Sequence, residues 1–181
     1  MNTKTNTRTN TSTKRLAAAA MLIAVGVIGG AWSIPVGAAK CAPVQHMINI
    51  LAASILPPGY GVAMAAIIST LRIGIGTGTF LAYPGSMAGA LLSGLLCYAA
   101  KKSKKSSPLL ITASAAFGEL FGTAVIGGML AYPVAVFFMG KEAALYTYIL
   151  PFFISTLGGT VIGVILYNAL RKTRAIDFLD I

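Results

Sequence analysis

Long apolar runs separated by short polar stretches dominate this chain. They fall at 16–32, 44–71, 84–100, 108–130 and 147–170. A membrane-crossing helix needs about 20 apolar residues, with roughly 17 as a lower limit, and each run reaches that length. The run at 44–71 holds no formal charge and is interrupted by Pro57-Pro58-Gly59. It reads either as one kinked helix or as a hairpin of two short helices.

Charge placement favours the hairpin. With it, six spans result, and the N-terminal tail, the KKSKK segment at 101–105 and the RKTR segment at 171–174 share one side. That side holds eleven bases (Lys4, Arg8, Lys14, Arg15, Lys101, Lys102, Lys104, Lys105, Arg171, Lys172 and Arg174), against three, Lys40, Arg72 and Lys141, on the other. Cytoplasmic loops carry the excess of Lys and Arg. The expected fold is an all-α integral membrane bundle of six transmembrane helices, multi-pass in the cell membrane, with both termini cytoplasmic. Residues 1–15 are expected as a disordered basic tail, 16–170 as the membrane domain and 171–181 as a cytoplasmic C-terminal tail. The first run is read as an uncleaved helix; the alternative is a signal peptide with a small-residue exit near Ala38 and Ala39. Hairpin helices of 13–15 residues rise only about 20 Å against a core of roughly 30 Å, so the outer loops are expected to be drawn toward the bundle. Residues 73–85 read as a Gly-rich outer loop. Residues 131–147 read as an outer segment following a fifth helix that ends near residue 130.

Composition agrees with a membrane protein. The chain is 56% hydrophobic and 10% charged, with mean hydropathy +0.81; soluble domains carry about 25% charged residues. The net charge of +10 does not point to nucleic acid, because the bases sit at span ends rather than in an aromatic-interleaved patch. Cys41 and Cys97 are placed on opposite sides, so no disulfide is expected. There is no GxxxxGKS/T motif and hence no phosphate-loop ATP site. No cofactor is implied.

The candidate chemistry is concentrated in a few places. The stretch SIPVGAAKCAPVQHMIN at 33–49 holds Lys40, Gln45, the only histidine, His46, and Asn49. Proline-broken polar backbone beside membrane spans is tolerated only in water, in protein or along a cavity, so this stretch is expected to line and cover a small-molecule site. Gln45 and His46 lie four and three residues before Asn49, on one helix face; helix capping and interhelical bonds are the plain alternative. Glu119 is the only acid within an apolar run, roughly 15 Å into its helix, where a carboxylate is costly unless paired, protonated or wet. Gly122 and Thr123 follow it on the same face. Glu119 reads as a ligand acceptor or as a structural partner of Arg72 or Lys40. Those two outer bases read either as interfacial anchors or Glu119 partners, or as binding residues. Trp32, Tyr83, Tyr132, Tyr146 and Tyr148 fall at outer ends, as an aromatic belt does, with some available to stack on a planar ligand. Ala20 with Ala24, and Gly26 with Gly30, form small-residue pairs that let another helix approach. A lone histidine makes a poor metal site, and one histidine with one embedded acid assembles no catalytic constellation, so no enzyme is expected.

Three segments together, IPVGAAKCAPVQHMIN, LRIGIGTGTFLAYPGSMAGALLSGLL and FGELFGTAVIGGMLAYPVA, resemble the ThiW family, over residues 14–170. That family is assigned to hydroxyethylthiazole, the thiazole precursor of thiamin. It is similar to the substrate-binding S components of energy-coupling factor (ECF) transporters, a type of ABC importer. The resemblance implies substrate capture from outside, reorientation against a transmembrane coupling (T) subunit, and ATP hydrolysis on two separate ATPase subunits. Ala20 and Ala24 match the small-residue surface that meets the coupling subunit. The implied ligand is neutral, small and planar, with Lys40, Gln45, His46, Asn49, Glu119 and Thr123 as its polar contacts and Tyr83 or Tyr132 stacking on it. An S component for another vitamin or precursor, or a non-transporting membrane assembly protein, are the competing readings.

Overall fold

The computed structural model describes residues 3–37 and 39–177, with side chains from residue 11 onward. It contains six helices and one short β-hairpin. In chain order these are α1 (Thr3–Gly29), β1 (Ile34–Val36), β2 (Ala39–Cys41), α2 (Pro43–Ile55), α3 (Pro58–Gly74), α4 (Ala82–Lys102), α5 (Pro108–Phe138) and α6 (Ile149–Lys172). The strands pair antiparallel, with Ile34 opposite Cys41 and Val36 opposite Ala39. Gly37 turns between them at φ +56°, a left-handed conformation that suits glycine.

The run at 44–71 is two helices. Pro57 disfavours helical backbone at the residue before it, and Leu56 is extended (φ −128°, ψ 161°). Pro58 opens α3 at its first position, where a missing N–H costs nothing. Three helices, α1 from Thr11, α5 and α6, are long and apolar enough to cross a membrane. Large apolar side chains cover the outside: Met21, Ile28, Leu150 and Ile165 are all more than half exposed, while Gln45, Asn49, Ser93, Glu119 and Thr156 are buried. A surface this apolar needs a non-aqueous neighbour.

At the centre stands α2. Every residue from Ile48 to Ile55 is buried, as expected of a helix apolar on all sides. Its Ile48, Leu51 and Ile55 pack with Met64 and Ile68 of α3 and Tyr167 of α6. Close approach of α6 is allowed by Gly159 and Gly163, where a Cβ would meet Pro43 and Ile50 respectively. Its C-terminal end is closed by Lys101, whose Nζ donates to the Ser54 carbonyl at 2.8 Å, a cation on unpaired helix carbonyls.

α4 and α5 are in closer contact still. Antiparallel, they meet through small residues: Gly118 against Ser93, Gly122 against Ala88 and Gly89, and Gly127 against Gly85. The contact residues step by four along α4, from Ser93 to Gly89 to Gly85. On α5 the step from Gly118 to Gly122 is also four, but from Gly122 to Gly127 it is five. The backbone over Gly122–Gly127 is π-helical, and a π turn accommodates one extra residue. An α-helical count of four from Gly122 would bring Ile126, not Gly127, against Gly85.

Three boundaries differ from the sequence expectation. α5 continues through Tyr132-Pro133 to Phe138 instead of ending near residue 130. Pro133 removes one backbone donor, and a second π-helical stretch, Val134–Phe138, follows it. Buried Ala131 and Ala135 hold this extension on the core formed by Leu81, Tyr148 and Phe152. α4 begins at Ala82, four residues ahead of the expected start at Ser86, so the outer loop expected over 73–85 is confined to 75–81; Pro84 falls within the first turn, where helix N–H groups have no intrahelical acceptor. Helical backbone in α1 begins at Thr3, ahead of the apolar run. Cys41 and Cys97 are both free and buried.

Candidate functional site

The hairpin leads directly into α2. The Ala42 N–H donates to Ser155 Oγ of α6 at 2.9 Å, and Pro43 starts the helix. This fixes Gln45, His46 and Asn49 on one face, turned toward α4 and α5. Two polar networks begin there.

The first is built on Glu119, which is fully buried. Three groups converge on its Oε1: His46 Nδ1 at 2.9 Å, Asn49 Nδ2 at 2.9 Å and Thr123 Oγ1 at 3.2 Å. Thr123 reaches it because i and i+4 share a helix face. Asn49 Nδ2 also donates to the Ser86 carbonyl of α4 at 3.1 Å. Oε2 has no hydrogen-bond partner. It fits because position 89 is glycine: a Cβ there would stand 2.8 Å from Oε2 and closer still to Thr123 Oγ1. With the carboxylate accepting, His46 Nδ1 carries a proton; in the neutral imidazole Nε2 is then an acceptor.

The second network runs from Arg72 of α3. Its Nη1 donates to Gln45 Oε1 at 2.7 Å, and Gln45 Nε2 donates to Ser86 Oγ at 2.7 Å. The loop after α3 folds back on the same residue, with the Thr77 and Gly78 N–H groups donating to the Arg72 carbonyl at 2.9 Å each.

Between the two networks lies a cavity of about 40 Å³. Gln45, His46, Arg72, Ser86, Thr123 and Ser155 supply its polar wall, with Phe152 and Leu81 as the large apolar groups. Ala39, Lys40 and Ala42, from β2 and the residue after it, cover it. Beside Lys40, Cys41 is buried with its Sγ donating to the Pro151 carbonyl at 3.1 Å, and burial pushes this thiol above its ordinary value.

Of the residues picked from sequence, Lys40, Gln45, His46 and Thr123 line the cavity. Asn49 and Glu119 stand behind His46 and Thr123 in the first network. Tyr83 bonds Thr70 through its hydroxyl, at 2.7 Å, on the exposed side of α3. Tyr132 is half-buried, and neither tyrosine lines the cavity. The aromatic ring at the cavity is Phe152. Glu119 pairs with His46, not with Arg72 or Lys40. Ala20 and Ala24 are exposed on α1, whereas Gly26 and Gly30 turn inward, onto Ile68 and Arg72. Arg72, which the sequence left open between an outer anchor, a partner of Glu119 and a binding residue, also lines the cavity. Ser86, Phe152 and Ser155 were not legible as cavity residues.

Among the described residues, no group of three or more His, Cys, Asp or Glu side chains converges as a metal would require. The arrangement offers hydrogen-bonding side chains, an imidazole and a guanidinium around a small, partly open space, inside a bundle with an apolar exterior. That defines a membrane-type helical protein suited to holding a small polar molecule. The chain belongs to the ThiW family of thiamine-precursor transporter proteins, whose family model matches residues 16–173. It is thus a member of a transporter family and not of an enzyme family. Searches among curated proteins and among solved structures returned no match.

Proposed function

We propose that this chain is the substrate-binding membrane subunit, the S component, of an ECF-type importer, and that its substrate is hydroxyethylthiazole. In this reading all six helices cross the membrane, both termini are cytoplasmic, and the hairpin faces outside. A transmembrane coupling subunit meets α1 at Ala20 and Ala24, and two ATPase subunits drive the cycle from the cytoplasm.

The observation that carries the reading is the polar cavity beneath the Ile34–Cys41 hairpin, in a chain of the thiamine-precursor transporter family. A thiazole ring presents an apolar body, suited to Phe152 and Leu81. Its hydroxyl donates to Nε2 of a neutral His46 or to Thr123 Oγ1, whose own proton goes to Glu119, or accepts from Gln45, and Glu119 and Asn49 hold His46 and Thr123 in position. The cavity of about 40 Å³ is smaller than the roughly 150 Å³ apolar cavity known to take up benzene. The ligand therefore has to displace the hairpin, which then closes over it. The exposed placement of Ala20 and Ala24 leaves two small side chains free for close helix contact.

The test is calorimetric titration of the purified chain with hydroxyethylthiazole, using thiamin and biotin as controls. Selective binding of the thiazole supports the proposal. Capture of a different vitamin keeps the S-component role and removes this substrate. No binding by a folded sample removes both and favours an assembly role.

A further inference from the structure

Arg72 is 3% exposed, yet it forms no ion pair among the described residues. Among the described residues, the one carboxylate in the core, Glu119, is taken up by His46, Asn49 and Thr123. A guanidinium has five N–H donors. Here two neutral acceptors serve it, Gln45 Oε1 at 2.7 Å and the Thr77 carbonyl at 3.5 Å, and Nε has no partner. A buried charge without a counter-charge is costly, more so at membrane depth.

The surroundings are shaped to keep it there. A Cβ at Gly30, in the turn after α1, would collide with Nε and Cδ of Arg72, and one at Gly78 would stand 3.1 Å from its Cβ. Two backbone segments thus approach as closely as glycine permits. Arg72 lines the cavity, and the other charged residue on the cavity wall is Lys40, also a base. No carboxylate lines the cavity. The wall is therefore electrostatically incomplete without a bound negative group.

We propose that Arg72, with Lys40 at the mouth, forms an oxyanion subsite. The cavity then takes its ring ligand in an acidic form, bearing a carboxylate or a phosphate monoester, in preference to the neutral alcohol. This rests on the small-molecule reading given above and refines its substrate class. Arg72 is the specificity-determining residue: a planar fork of donors matched to two oxygens of one anion.

The experiment titrates the purified full chain with four ligands: hydroxyethylthiazole, its phosphate monoester, the methylthiazole carboxylate, and the methyl ester of that carboxylate. Charge-assisted hydrogen bonds are roughly twice as strong as neutral ones, so at least one acid is expected to bind about tenfold or more tighter than the alcohol. The acid that gains identifies the source of the oxyanion. The uncharged methyl ester is expected to lose any gain shown by the carboxylate. In Arg72→Gln the ratio of acid to alcohol affinity is expected to collapse toward one, and in Arg72→Lys to be partly kept. Alcohol binding as tight as that of both acids overturns the inference and leaves the thiazole reading standing. An acid preference that survives Arg72→Gln overturns the assignment to Arg72. Binding of none of the four by a folded sample overturns both readings. If Arg72→Gln does not fold, the comparison of acids with alcohol and ester on the unaltered chain decides.

Discussion

Replacing Glu119 by alanine removes the single oxygen on which three donors from two helices converge. His46 Nδ1 and Thr123 Oγ1 lose their only side-chain partner, while Asn49 Nδ2 keeps the Ser86 carbonyl. Each buried donor left without an acceptor costs about 1–3 kcal/mol. His46 and Thr123 border the cavity, where water can partly replace the lost acceptor, which lowers the total. We expect Glu119→Ala to destabilise the fold by about 2–4 kcal/mol. Glu119→Gln keeps an acceptor at Oε1 but weakens it, and is expected to cost about 1–2 kcal/mol. The assay is reversible unfolding in mixed micelles of the single variants and of the double variant His46→Ala/Glu119→Ala. A coupling energy of about 1.5 kcal/mol or more is expected between the two positions, above the roughly 0.6 kcal/mol average for interhelical hydrogen bonds in a membrane protein. Strict additivity, or a Glu119→Ala protein within about 0.5 kcal/mol of the parent, would refute the view that this carboxylate holds α2 to α5.

Gly118→Ala places a Cβ 2.6 Å from the Ser93 backbone, where nothing flexible can yield; unfolding measurements should show a loss of about 1–3 kcal/mol from overpacking, and more from Gly118→Leu. Ser155→Ala removes the acceptor of the Ala42 N–H at the junction of hairpin and α2; a loss of about 1 kcal/mol and weaker ligand binding are expected by unfolding and titration. Cys41 is buried and its thiol is pushed up, so maleimide labelling of the folded protein at neutral pH should be slow, should accelerate as pH rises, and should slow further when ligand holds the hairpin down.

Much of the bundle could be read from residue order, because membrane helices announce themselves by apolar length and by the bases that end them. The split at Pro57-Pro58 followed from charge parity, since a single span there would have put KKSKK on the side opposite the tail. Glu119 stood out because an isolated acid in an apolar run demands partners. His46, Asn49 and Thr123 were legible from spacings of three and four residues, and the structure joins all three to that acid. What resisted reading depends on which helix lies against which. Arg72 could be read equally as an anchoring base or as a binding residue, and only the packing of Gly30 and the 75–81 loop around it decides where it points. Phe152 is one of several aromatics near the start of α6, and only the packing of that helix turns it to the cavity. The extension of α5 past Tyr132-Pro133 escaped because proline usually ends a helix, whereas here buried Ala131 and Ala135 carry it on.

The π turn at Gly122–Gly127 makes α5 a phased object. One extra residue within a helix rotates everything beyond it by about 100° relative to an uninterrupted α-helix. Below the turn, the helix offers Glu119 to the His46 network; above it, the same helix offers Ala131 and Ala135 to the core beneath the hairpin. The two halves share an axis but are keyed to different neighbours, and the key is a single residue. Val125 and Ile126, the positions of the turn that are not buried, should therefore tolerate exchange of side chain better than the helix tolerates loss of any one residue along 122–127. Deletion there would restore regular winding and swing the far half out of register, turning the face that now carries Phe137 and Phe138 away from its present outward direction.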